Sequence, residues 1–141
     1  MLAALWWDAV VTTSPARPAP AVTALATLFL TSGTLHLVRP GFFEPIVPKA
    51  LPARRELVHI SGVAELACGA GLLHPRTRPL AGPASALLLT AVFPANVQMS
   101  LSFGRRAART RRPRDVGAFV ATLARLPLQW PMVRTAMSAR G

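Results

Sequence analysis

Residues 79–104 read PLAGPASALLLTAVFPANVQMSLSFG and contain no charged side chain. A helix on the surface of a soluble protein shows a polar face every few residues, and this run shows none. About 20 mostly apolar residues suffice to cross the hydrocarbon of a bilayer, so the run reads as a membrane span. Pro94 lies inside it and is expected to kink it, which membrane helices tolerate when neighbours satisfy the freed carbonyl.

Three further segments have the length of a span. Residues 21–38, AVTALATLFLTSGTLHLV, follow a run in which Pro15, Pro18 and Pro20 oppose helix, and Arg39-Pro40-Gly41 ends them. Residues 57–73, LVHISGVAELACGAGLL, carry His59 and Glu65. Residues 116–133, VGAFVATLARLPLQWPMV, are interrupted by Arg125, Gln129, Pro127 and Pro131, and must be buried in a bundle, lie partly in the interface, or break. The expectation is an all-α fold: an integral membrane four-helix bundle with an irregular Pro-rich loop between helices 1 and 2.

The charge distribution agrees. Of 141 residues 52% are apolar, and 16 basic residues face only 5 acidic ones. The bases gather between the apolar runs, as in membrane proteins, where charge retreats to the loops. The segment 39–56 holds four prolines together with Phe42 and Phe43, and is expected to lie along the membrane surface with both Phe rings in the boundary. The segment 105–114, RRAARTRRPR, carries six Arg and is read as a loop that meets anionic lipid headgroups; no nucleic acid partner is expected. If the four helices alternate direction, these two segments share a side. That side then carries ten bases against five, counted as Arg39, Lys49, Arg54, Arg55 and the six Arg versus Arg17, Arg76, Arg78, Arg134 and Arg140. The positive-inside rule makes it cytoplasmic, with both termini extracytoplasmic in a multi-pass protein of a bacterial plasma membrane. Residues 1–20, with Trp6 and Trp7, are read as an N-terminal interfacial segment, 21–135 as the four-helix transmembrane domain and 136–141 as a C-terminal tail.

Ionisable groups within a span cost roughly 2.5–3.5 kcal/mol each on insertion scales and point to function. The set here is His36, His59, Glu65 and Arg125, with Ser61, Asn96 and Gln129 as neutral companions. At about 1.5 Å rise per residue, His36, His59 and Asn96 fall in the leaflet on the Arg-rich side, and Glu65 and Arg125 near the midplane. Together they can line one ligand pocket. Glu65 and Arg125 form the expected ion pair, which serves either to fix the packing of the bundle or to handle a proton or ligand. Gly62, Glu65 and Gly69 share a helix face on which small residues let another helix approach closely. His36 and His59, at similar depth on two helices, offer imidazoles of the kind haem uses; a hydrogen bond to backbone or headgroup is the plainer use of each, and no metal site is expected. Cys68 is the only cysteine, so an internal disulfide and a CxxC redox pair are excluded; it is read as a small buried packing residue. No nucleophile elbow, HExxH or phosphate-binding loop occurs, and catalytic status is left open.

Three stretches carry a resemblance. They are SGTLHLVRPGFFEPIVPKALP (32–52), LVHISGVAELACGAGLLHPRTRPLAG (57–82), and FPANVQMS (93–100) followed by RLPLQWPM (125–132). Their order and spacing resemble the DoxX family of small four-helix membrane proteins over roughly residues 22–135. The resemblance implies a subunit of a quinone-linked membrane redox or thiol-homeostasis system. Members have been linked to thiosulfate:quinone oxidoreduction and to a membrane complex with superoxide dismutase and a sulfurtransferase. It equally admits a non-enzymatic membrane scaffold or assembly factor docking protein partners, since a distant relative is a receptor-assembly chaperone and fold does not fix function. A solute transporter lacks the usual inverted-repeat signal. On the leading reading a quinone is the bound group, with His36, His59, Glu65, Asn96, Arg125 and Gln129 lining its pocket.

Overall fold

A computed structural model describes residues 17–139. The interfacial segment expected over 1–20, with Trp6 and Trp7, lies almost wholly outside the described residues. Among those described there are four α-helices, two 3-10 turns and no strand: α1 (Pro20–Val38), turns Pro40–Phe42 and Glu44–Ile46, α2 (Arg54–Leu73), α3 (Arg78–Thr110) and α4 (Pro113–Ser138). Helices α1, α2 and α3 are long and apolar enough to cross a membrane, and α4 is not. Within the fourth span expected, 116–133, Arg125 and Gln129 lower the hydropathy.

Prolines set most of the boundaries. Pro20 and Pro113 open α1 and α4 in the first turn, where a missing N–H costs nothing. Pro40 disfavours helix at the residue before it, so Arg39 turns out of α1 at φ −134°. A second proline, Pro45, sits in the first turn of the next 3-10 piece. Helix α2 begins at Arg54, earlier than the expected residue 57, after Ala53 in the left-handed region (φ 51°).

The Arg-rich segment departs from expectation. It is not a loop: Arg105 to Thr110 continue α3, and only Arg111 and Arg112 link it to α4. Arg and Ala are both strong helix formers, and nothing before Arg111, which is left-handed at φ 51°, stops the helix. At 33 residues and about 1.5 Å per residue, α3 is far longer than the roughly 30 Å of a bilayer's hydrocarbon. A clasp closes this corner. Asp115, only 5% exposed, accepts from Arg106 Nε at 2.9 Å and from Thr110 Oγ1 at 2.6 Å. The Thr110 hydrogen bond is the largest influence on its carboxyl; with the charges of Arg106 and Arg114 it outweighs burial and holds the group below its ordinary value of 3.8. Helix α4 also runs on through Ser138, so residues 136–138 are its final turn and not a tail, and Ala136 and Ala139 are buried.

The helices pack as two close pairs, α1 on α2 and α3 on α4. Small residues make each approach possible. A Cβ on Gly33 would stand 2.6 Å from the Gly62 carbonyl, one on Gly62 2.7 Å from His36 Cβ, and one on Gly69 2.9 Å from Leu30 Cγ. On the other pair a Cβ on Gly82 would meet the Ala136 carbonyl at 2.5 Å. The core of Leu25, Phe29, Cys68, Leu72, Leu89 and Ala136 fills the half of the bundle nearer the 74–77 connection. Cys68 is buried there, as its reading required. Large apolar side chains point outward all around, Leu80 at 79% and Leu87 at 72% exposure being examples. Arg78 is buried and donates from Nε to the Leu72 carbonyl at 3.0 Å. It thereby closes the C-terminus of α2, an end where cations are favoured.

Gly62→Val should destabilise the protein by about 1–3 kcal/mol through overpacking. Gly117→Ala, where nothing lies within 4 Å, should leave stability unchanged or raise it by up to about 1 kcal/mol. Thermal unfolding in detergent checks both. The Asp115 clasp carries its own pH signature. A carboxyl whose value is lower folded than unfolded stabilises above the unfolded value and loses that contribution as pH falls through the folded one. The stability difference between wild type and Asp115→Asn should therefore be full at pH 7 and shrink only below about pH 4.

Candidate functional site

The half of the bundle away from the core is hollow. Between α2 and α3, beneath the two 3-10 turns, lies a cavity of about 370 Å³, within the roughly 300–1,000 Å³ of ligand pockets. Its walls are mainly apolar, with Ile46, Leu51, Ile60, Ala64, Val92 and Met99 among them. Its polar side chains are few: Ser32, His36, Ser61, Glu65, Asn96 and Arg125. Glu65, Asn96 and Arg125 also border a second void of about 20 Å³ that reaches Gln129. That void has room for about one water.

Glu65 is the most buried ionisable group of the cavity wall, 6% exposed. The group beside it is not Arg125 but His36, whose Nδ1 lies 3.4 Å from Glu65 Oε2. The glycine crossing explains the exchange. Gly33 and Gly62 bring α1 against α2, and His36, one turn beyond Gly33, reaches the carboxyl first. Arg125, on α4, is exposed and faces the voids, with no ion pair within 4 Å among the described residues. His36 is itself fixed on two sides. Its Nδ1 lies 2.8 Å from the Ser32 carbonyl, which can only accept, so the hydrogen sits on Nδ1. Its ring stacks on Phe43 at 3.9 Å between centroids. Phe43 therefore turns inward, contrary to the expectation that both Phe rings lie in the boundary, while Phe42 remains exposed.

Asn96 and Gln129 tie α3 to α4. Asn96 Nδ2 donates to Gln129 Oε1 at 3.0 Å, and Gln129 Nε2 donates to the Leu89 carbonyl. That carbonyl lies one residue before the Thr90 carbonyl, the one that Pro94 deprives of its helical donor. Ser61 Oγ donates to the Val58 carbonyl at 3.0 Å and presents its oxygen to the cavity.

Five of the seven candidates thus line one cavity: His36, Ser61, Glu65, Asn96 and Arg125. Gln129 borders only the small void. His59 lines neither: it shares the depth of His36 but not its face of the bundle, so the two imidazoles do not converge and a haem pair is not formed. Among the described residues no three His, Cys, Asp or Glu side chains group to hold a metal. Ser32 and Phe43 were not singled out from sequence. The i, i+4 spacing of Ser32 and His36 was the signal for the first; Phe43 is brought in by the proline turns and had no signal of its own.

An all-helical chain with three helices of membrane-spanning length and apolarity, and a side cavity with a small polar cluster, is the class these observations define. The chain belongs to the family described as "Domain of unknown function (DUF8561)", whose model matches residues 25–140. No curated protein and no solved structure matches.

Proposed function

We propose that the chain is a four-span integral membrane protein whose cavity binds a membrane-soluble amphiphile of quinone type. It would act as a subunit of a membrane redox or thiol-homeostasis system, as the DoxX resemblance implies. One observation carries this reading: an apolar cavity of about 370 Å³ with its polar residues gathered around a buried carboxyl. Such a shape suits an apolar tail with a hydrogen-bonding head. Helix α4 completes the bundle as the fourth span: Val120, Leu128 and Trp130 face outward, while Gln129 is turned into the protein and bonded. On this reading the exposed apolar side chains meet lipid. The cavity opens on the cytoplasmic half, and both termini lie outside. Arg105, Arg109, Arg111, Arg112 and Arg114, all exposed, meet anionic headgroups, each basic contact contributing about 1 kcal/mol.

The test is mass spectrometry of extracted lipids, with a UV–visible spectrum, on protein purified in mild detergent. Quinone should co-purify with wild type. Ala64→Phe, which places a ring in the cavity, should lower it by about tenfold, equivalent to ~1.4 kcal/mol. Phospholipid alone in both proteins, with co-eluting protein partners, would contradict the quinone reading in favour of a scaffold or assembly factor.

A further inference from the structure

At the polar end of the cavity, acceptors outnumber available donors on α2. Glu65 is more than nine-tenths buried, and its Oε2 receives no hydrogen bond. The hydrogen on His36 Nδ1 does not serve it, being directed to the Ser32 carbonyl at 2.8 Å while Oε2 stands 3.4 Å away. One turn earlier on the same face, Ser61 has its hydrogen committed to the Val58 carbonyl, leaving its oxygen as an acceptor. Residues four apart on a helix stack on one face, so two acceptors stand together against the cavity. A buried polar atom without a partner is costly and rare in native structures. This one belongs to a side chain that lines a space large enough for a ligand.

Resting on the reading above, we infer that the cavity takes its amphiphile in a hydroxyl-bearing form, hydroquinone rather than quinone, with a hydroxyl donating to the Glu65 carboxylate. A quinone head carries acceptors only and would set oxygen against oxygen there. A hydroquinone head supplies the missing hydrogen to Glu65, and its own oxygen can accept from Arg125, which borders the same cavity. The preference follows from hydrogen-bond polarity: a site built around one polarity rejects an analogue that cannot supply it.

The experiment uses the full chain in nanodiscs and two probes with the same alkyl tail, a hydroquinone held reduced under anaerobic conditions and its quinone. Partition is measured against protein-free nanodiscs. Wild type should bind the hydroquinone on the order of 10–100-fold more tightly than the quinone, the range that one buried unsatisfied group spans. Glu65→Gln, close in shape, and Glu65→Leu should both bring the ratio near one. Equal binding of the two probes, or tighter binding of the quinone, overturns the inference and leaves the cavity reading standing. Failure of both probes to bind wild type overturns both.

Discussion

The close crossing of α1 and α2 is the constraint on which the rest of the structure depends. Gly33, Gly62 and Gly69 let the two backbones approach to distances that any side chain would prevent. In a bilayer, where helices gain nothing by hiding apolar surface from lipid, such close packing is a main source of association. The crossing also decides chemistry. It carries His36 to Glu65 and leaves Arg125 outside the pair.

From that crossing the bundle divides into two halves. Toward the 74–77 connection, Leu25, Phe29, Leu72 and Leu89 meet in a filled core, with Arg78 closing the end of α2. Toward the proline turns the space between α2 and α3 remains open as the cavity. Pro94 sits on the cavity side of α3, and the contact between Asn96 and Gln129 holds α3 to α4 across the disturbed turn. The polar groups are thus of two kinds. Asn96 and Gln129 satisfy each other and the backbone, whereas Glu65 keeps an oxygen without a donor.

Much of this was legible in the amino-acid order. The uncharged run before Gly104 could only be an apolar helix, and Glu65 stood out because a carboxyl there is expensive. Gly62 and Gly69 announced a close approach that the structure contains. What was not legible depended on azimuth and on the third dimension. Sequence depth placed His59 beside His36, but depth says nothing about which face a residue occupies. Arg125 was the natural partner for Glu65 by charge; His36 takes the place because the glycines bring α1 nearer than α4. The Arg run was read as a loop from its charge, although its Arg and Ala content is equally that of a helix end, and Asp115 was the residue that tied it down.

The central claim is that Glu65, held under His36 by the glycine crossing, faces an open ligand cavity in a membrane bundle. An experimental structure of the full chain in lipid nanodiscs tests it most directly. The account predicts elongated non-protein density between Ser61 and Asn96, with its head within hydrogen-bond distance of Glu65 and α1 in contact with α2 at Gly33 and Gly62. A bundle in which α2 is rotated so that Glu65 pairs with Arg125, and side chains close the space between α2 and α3, would contradict it.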